Sequence, residues 1–378
     1  MRELIINKLY TKNTPFKKVR ICSDIKIKKD DIEETKTIWF EINERNEKDC
    51  ELQTVDAFLI AILPYAFANN FNILVSDTTY ISEDLLFQIN ELLLPSLRFS
   101  KDFKIYNDIN VVANKINGLK VGTGCGTGFS RGVDSFYTLL KNKDIVNYAF
   151  LFNTQAYGVS GGEIAEGLFD KDYEEAKCAI DDYNRLYEKD VKLIEVNTNV
   201  HEQFKIRIGY AGTYRDAAIA VLFRPLIGKY LYSTTHTIND FSIGYCRQYE
   251  NWILPCLSSQ GQKLYSFGGA AVKPEKIDYI SNYEITYDYL QVCRKSAWEA
   301  EKGNTITKLF PNCTKNCHKC KLTCMTLNKL GKLDLYKKRF DVDWVYENIE
   351  AIENDIEDIL KDSYVSMVYP NGTDKEGK

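Results

Sequence analysis

No stretch of this 378-residue chain is apolar for long enough to cross a bilayer. The longest apolar run, Ala57 to Ala68 in DAFLIAILPYAFANN, falls short of the roughly 20 residues a spanning helix needs and carries Pro64. An excess of one charge is missing too. With 49 Lys and Arg against 53 Asp and Glu, the net charge is -4 and the pI near 5.7, so no electrostatic ground exists for a non-specific nucleic-acid or membrane binder. A Lys/Arg-rich arm is also absent, which makes tRNA a minor expectation among the partners. The opening MRELIINKLYTKNTPFKK lacks an apolar core of signal-peptide length, so a cytoplasmic protein is expected. Internal repeats, coiled-coil heptads and low-complexity linkers are not found. The 11 cysteines are odd in number and partly clustered, which suits reduced thiols and a metal site better than a disulfide framework.

What is present is ordinary globular composition, 44% hydrophobic and 27% charged, with many aromatics (25 Tyr, 19 Phe). Length alone suggests two or three units. Residues 1–115 read as an α/β module: extended FKKVRICSDIKI, TIWFEI and FNILVSD, with helices over TVDAFLIAILPYAFANN and SEDLLFQINELLLPSLRF, the second with Ser82 as N-cap. Over 116–270 the pattern becomes strand, turn and helix in repetition. VNYAFLFNT, VKLIEVNT and KYLYSTTHT alternate with VDSFYTLLKN, DKDYEEAKCAIDDYNRLYEK and YRDAAIAVLFRPLIG. The alternation predicts an α/β fold with an open parallel sheet and helices on both faces. Ligands of such sheets sit at the carboxyl ends of the strands, which puts Asn153, Thr154, Asn197, Thr235 and His236 on one rim. Residues 271–378 carry the cysteine cluster and an acidic amphipathic helix over 341–360.

The densest punctuation is VGTGCGTG, with Gly122, Gly124, Gly126 and Gly128, followed by Ser130-Arg131-Gly132-Val133-Asp134-Ser135 and an apolar helix. A glycine-rich turn at a helix N-terminus, with two hydroxyls, can wrap donors around an anion such as pyrophosphate. The spacing is neither a Walker A loop nor a dinucleotide fingerprint. It resembles the PP-loop ATP pyrophosphatase superfamily (adenine nucleotide alpha hydrolase-like), whose signature is Ser-Gly-Gly-x-Asp-Ser after the first strand of a parallel, HUP-like sheet. Arg131 stands where that signature has Gly, at a strain of about 1–2 kcal/mol if the position requires positive φ, and with a guanidinium that the turn can set beside phosphates.

The resemblance implies that ATP is cleaved between its α- and β-phosphates and AMP is transferred to a carboxylate or amide oxygen, small or protein-bound, which a nitrogen or sulfur nucleophile then displaces. The loop from Phe129 through Ser135 would bind ATP: Ser130, Gly132 and Ser135 would hold pyrophosphate, Asp134 would orient Mg²⁺, and Asn153 and Thr154 would meet the adenosine. Arg215 is a candidate phosphate clamp or a solvent-exposed helix arginine. Lys273 and Arg247 are weaker candidates, His236 is either a cleft residue or a packed loop histidine, and His201 and His318 are expected to be structural.

The run NCTKNCHKCKLTCMTLNKL offers Cys313, Cys317, Cys320 and Cys324, with Cys293 about twenty residues earlier. Four thiolates suit tetrahedral zinc. Cys293, Cys313, Cys317 and Cys320 are the preferred set, with Cys324 the alternative fourth ligand or a packed core thiol. The arrangement resembles the zinc site of 7-cyano-7-deazaguanine synthases, and that likeness implies ammonia as the nucleophile. A sulfur donor has only Cys125 in its favour, and a nucleotide-binding module without turnover is the third reading. A homo-oligomer is compatible with all three.

Overall fold

The computed structural model describes residues 2–101, 103, 109–153, 168–206, 208–242, 249–259, 261–292, 311–315 and 317–361. The long strands β3 (Lys18–Lys29) and β4 (Ile32–Asn43) follow β1 (Arg2–Ile6) and β2 (Tyr10–Thr14). Burial alternates along them: Val19, Ile21, Ile25 and Ile27 are buried beside Ile38, Phe40 and Ile42, while Lys18, Arg20, Lys26 and Lys28 take the other face, where Cys22 is the buried exception. Only Asp30 and Asp31 join the two strands, with Asp30 at φ 55°, and so short a link permits antiparallel pairing alone.

The remaining strands are β5 (Asn72–Val75), β6 (Tyr80–Ser82), β7 (Val111–Val112), β8 (Asn114–Ile116), β9 (Gly124–Gly128), β10 (Tyr148–Asn153), β11 (Lys192–Thr198), β12 (Ile227–Ser233) and β13 (Lys263–Phe267). The helices are α1 (Asp56–Asn69), α2 (Glu83–Phe87), α3 (Leu94–Leu97), α4 (Val133–Lys141), α5 (Leu168–Tyr187), α6 (Val200–Gln203) and α7 (Ile208–Leu222). After them come α8 (Glu250–Cys256), α9 (Lys273–Ile280), α10 (Ile285–Tyr289), α11 (His318–Lys329), α12 (Val342–Glu347) and α13 (Ile349–Lys361).

The fold is α/β with a large mixed, mostly parallel sheet of 11 strands flanked by helices. Its order is β13-β12-β9-β10-β11-β4-β3-β1-β5-β7, with β2 pairing β3, while β6 and β8 form a parallel pair apart. From β13 to β11 every pairing is parallel, as expected for residues 116–270. At β11 the sheet continues into β4 through antiparallel pairs such as Thr198 with Phe40, so the N-terminal strands extend the same sheet. The parallel sheet expected for residues 116–270 is thus one part of a larger mixed sheet, in which short links make β2, β3 and β4 antiparallel.

Alternation along β10 divides two cores. Phe150 and Phe152 face the one built with α1, α7 and α8, and Ala149 and Leu151 face the one with α4, α5, α9 and α11. The two halves of the sheet also share a buried polar knot. Arg224 bonds Glu51 and Asp56 at 2.7 Å each and Ser259 Oγ at 2.7 Å, with Glu51, Asp56 and Ser259 all under 5% exposed. Ser82 stands at the N-cap of α2 as expected, but its hydroxyl makes no capping bond and donates instead to Asp56 Oδ2 at 2.7 Å in this knot. The expected acidic helix over 341–360 is two helices that meet at Asn348. Among the described residues no helix is long and apolar enough to cross a membrane.

Candidate functional site

In the parallel half the chain runs from β9 to β10 and β11 on one side, then crosses back to β12 and β13 on the other. Strands β9 and β12 are therefore the neighbours from which successive connections diverge, the point at whose carboxyl ends open sheets of this kind form their ligand crevice. The loop 129–132 leaves β9 at that point, and Thr234 to Thr237 leave β12.

Gly124, Gly126 and Gly128 belong to β9, and Gly122 precedes it, so none of the dense glycines lies in the turn, which corrects the expected glycine-rich cradle. A Cβ on Gly124 would lie 2.7 Å from the Tyr148 ring and one on Gly126 2.7 Å from the Phe150 ring, so β9 is stripped to let β10 aromatics pack across it. In the turn itself only Gly132 remains. It is the N-cap of α4, extended at φ -74° and ψ 169°, and no side-chain hydrogen bond caps the helix. Ser135 Oγ donates to Gly132 O at 3.0 Å, and exposed Ser130 places its Oγ 3.4 Å from Ser135 Oγ. Phe129 and Val133 are core residues; Phe129 packs edge-on against Phe136 with centroids 5.2 Å apart.

Arg131 sits at φ 59°, so the position does take left-handed backbone. Its guanidinium is 1% exposed and pairs with Asp172 and Glu175 of α5. The expectation that it lies beside the phosphates is corrected: two carboxylates on the neighbouring helix draw it behind the loop.

Asp134, in the first turn of α4, meets the start of α9. Lys273 Nζ lies 2.5 Å from its Oδ2 and Lys276 Nζ 3.1 Å from its Oδ1. Thr235 Oγ1 lies 3.4 Å from Oδ2. Burial pushes the Asp134 carboxyl up, but the charges of both lysines outweigh it and leave it below its ordinary value. Lys276 is 1% exposed, also donates to Thr234 O at 2.7 Å, and is lowered by burial against the pull of Asp134. Thr234 in turn donates through Oγ1 to Glu250 Oε2 at 3.1 Å. Burial raises the Glu250 carboxyl to about 7, opposed by the Thr234 hydrogen bond and Lys276.

Asn153 is buried at the end of β10 and donates to Asn197 Oδ1 at 2.9 Å. Thr154, Arg247 and Cys293 lie outside the described residues. Arg215 is not solvent-exposed: it is 2% exposed, donates to Ile206 O at 3.0 Å and is lowered to about 10 by burial. Its neighbour Asp216, raised to about 7 by burial, is the α7 residue that acts electrostatically on Tyr230 and Tyr232 of β12. His236 is half-buried in the loop after β12, where its N–H donates to Thr234 Oγ1 at 3.2 Å. Buried His201 is held down near 4 by burial and Arg215. Sequence reasoning missed Lys276 and Glu250. For Lys276 a signal existed, since Lys273 and Lys276 are three apart and share one helical face.

Cys313, Cys317 and Cys320 form a second site. Cys313 Sγ lies 3.4 Å from Cys317 Sγ and 3.6 Å from Cys320 Sγ, and the Cys320 N–H points to Cys317 Sγ at 3.4 Å. A zinc tetrahedron with Zn–S near 2.3 Å has S–S edges of about 3.8 Å, so the spacing and the chemistry of these thiols fit such an ion. Cys324 is fully buried in the core beneath α11 and is not part of this group. The knuckle is tied to the crevice: Asn312, next to Cys313, accepts from Val292 N at 2.7 Å, and Gln291 N donates to Arg131 O at 2.9 Å. Cys125 faces the core, with its thiol pushed up to about 11 by burial. No protein-family model, curated protein or solved structure matches the chain.

Proposed function

We propose that this chain is an AMP-forming, ATP-dependent enzyme that adenylates a carboxylate or amide oxygen and then admits a nitrogen nucleophile. The observation that supports it most is the convergence of the uncapped α4 N-terminus, Ser130, Ser135, Lys273 and Lys276 on the crevice between β9 and β12. Donors and cations of that kind suit a departing pyrophosphate. An acyl or amide oxygen leaves poorly as it stands, and adenylation turns it into a good leaving group. Lys273 and Lys276 would exchange Asp134 for phosphate oxygens, and the freed Asp134 would hold Mg²⁺. Mg²⁺ supplies charge neutralisation to the phosphates when bound.

The thiol cluster is proposed to hold zinc through Cys313, Cys317 and Cys320, with Cys293 as the expected fourth thiolate. A full set of four thiolates leaves no open position, so this metal would brace the fold and activate no water. A sulfur donor has little to support it, because Cys125, its one candidate carrier, is a buried thiol. A second reading has an observation of its own. Two lysines neutralise Asp134, as suits a module that binds nucleotide without turnover.

The test is incubation of the protein with α-labelled ATP, Mg²⁺ and a metabolite extract, with ammonium or sulfide added separately. AMP that appears only with extract, faster with ammonium, is the expected result. ADP, or no binding of ATP at all, refutes the proposal, and binding without turnover selects the second reading.

A further inference from the structure

Among the described residues three carboxylates are buried below 6% exposure: Glu51, Asp56 and Glu250. Glu51 and Asp56 share the Arg224 guanidinium. Glu250 touches no cation among the described residues, and the Thr234 hydroxyl is its hydrogen-bond partner there, at 3.1 Å. A buried acid without an ion pair is costly to keep and is a frequent mark of a site that uses it. Its location gives the use. Thr234 directly follows β12 at the crevice, and its carbonyl holds Lys276, whose ammonium reaches Asp134 of the loop. Glu250 is therefore three contacts from the candidate phosphate cradle and on the β12 side of it.

We infer that Glu250 is the base that takes the proton from the attacking nitrogen, positioned for it by Thr234; this rests on the adenylation reading above. In the step, the lone pair of neutral ammonia forms a C–N bond to the adenylated carbon. The C–O bond to AMP breaks, its electron pair leaves on the AMP oxygen, and the surplus proton on nitrogen passes to a Glu250 carboxylate oxygen. A sulfur donor arrives as thiolate and needs no such acceptor, so a base at this position selects nitrogen. Burial keeps the acid near neutrality, where it is unprotonated often enough and basic enough to serve. The titratable groups that face it are Tyr232 of β12, Asp134 of α4, Lys276 of α9 and Asp240 in the turn after β12.

The experiment compares full-length wild type, Glu250→Gln and Glu250→Asp with ATP, Mg²⁺ and metabolite extract. It reads ATP–pyrophosphate exchange for adenylation and AMP release for discharge, with ammonium or hydroxylamine as the nucleophile. Expected for Glu250→Gln is exchange within twofold of wild type and ammonium-dependent AMP release slowed about 10²–10⁴-fold. Hydroxylamine is a weaker base than ammonia, so its nitrogen sheds the surplus proton to water after attack; it should recover most of the rate, and Glu250→Asp should lie between the two. AMP release by Glu250→Gln with ammonium at the wild-type rate overturns the assignment. Joint loss of exchange and discharge also overturns it, in favour of a structural role. Wild type without exchange overturns the adenylation reading itself, and the role of Glu250 falls with it.

Discussion

Replacing Arg131 by glycine sets two opposing effects of the loop against each other. At φ 59° the backbone favours glycine, and relief of the side chain's strain is worth about 1–2 kcal/mol. Against this stands a guanidinium 1% exposed whose main partner, Asp172, is 11% exposed. Deleting one member of a buried pair typically costs about 3–5 kcal/mol, because the remaining charge loses the attraction that offset its burial. Glu175 is 38% exposed, so solvent screens it and it adds little. The balance is a net loss of about 1–4 kcal/mol for Arg131→Gly. Arg131→Ala should lose more, since it forfeits the pair and keeps the strained backbone. The assay is urea unfolding, read as a shift of midpoint at unchanged slope. Arg131→Gly as stable as wild type, or more stable, would refute the reasoning, because backbone strain would then outweigh the ion pairs. The same variants carry a functional control: with the guanidinium turned to α5, Arg131→Gly should bind pyrophosphate within threefold of wild type.

Asp134→Asn frees Lys273 and Lys276 and removes a competing charge, so calorimetry should find metal-free pyrophosphate bound about tenfold tighter, while Mg²⁺-dependent AMP formation is lost. Glu250 titrates in the native protein near 7 instead of its ordinary 4.5, so its carboxylate destabilises the fold once pH rises past 4.5, and fully above about 7. Glu250→Gln should therefore be more stable than wild type by at most about 3 kcal/mol in thermal unfolding at pH 8.5, with no difference at pH 4. Cys320→Ser, or treatment with a strong chelator, should release about one zinc per chain in a chromogenic assay and lower the melting temperature.

Much of the parallel half was legible because its strands are short apolar runs between helices of clear period, and that pattern leaves little choice of pairing. The N-terminal strands were legible as strands, but their union with the same sheet was not. Pairing of Thr198 with Phe40 joins positions 158 residues apart, and local pattern carries no signal at that separation. The glycine run misled for a related reason. Gly124 and Gly126 answer to Tyr148 and Phe150, whose rings lie on the next strand and not in the local turn.

The candidate site divides in the same way. Ser130, Asp134 and Ser135 follow from one hexapeptide, and Cys313, Cys317 and Cys320 from one knuckle, since ligands close in sequence need only local geometry to meet. Glu250 comes from a helix 115 residues beyond Ser135, and only the return of β12 beside β9 brings it to the crevice. The knuckle reaches the same crevice by a path of hydrogen bonds, from Asn312 to Val292 and from Gln291 to the Arg131 carbonyl. That path gives the thiols a role beyond holding their own helix. The left-handed turn at Arg131 is anchored on one side by α5 carboxylates and on the other by the segment the knuckle fastens, so loosening the knuckle should loosen the Ser130–Ser135 loop before it disturbs the sheet beneath.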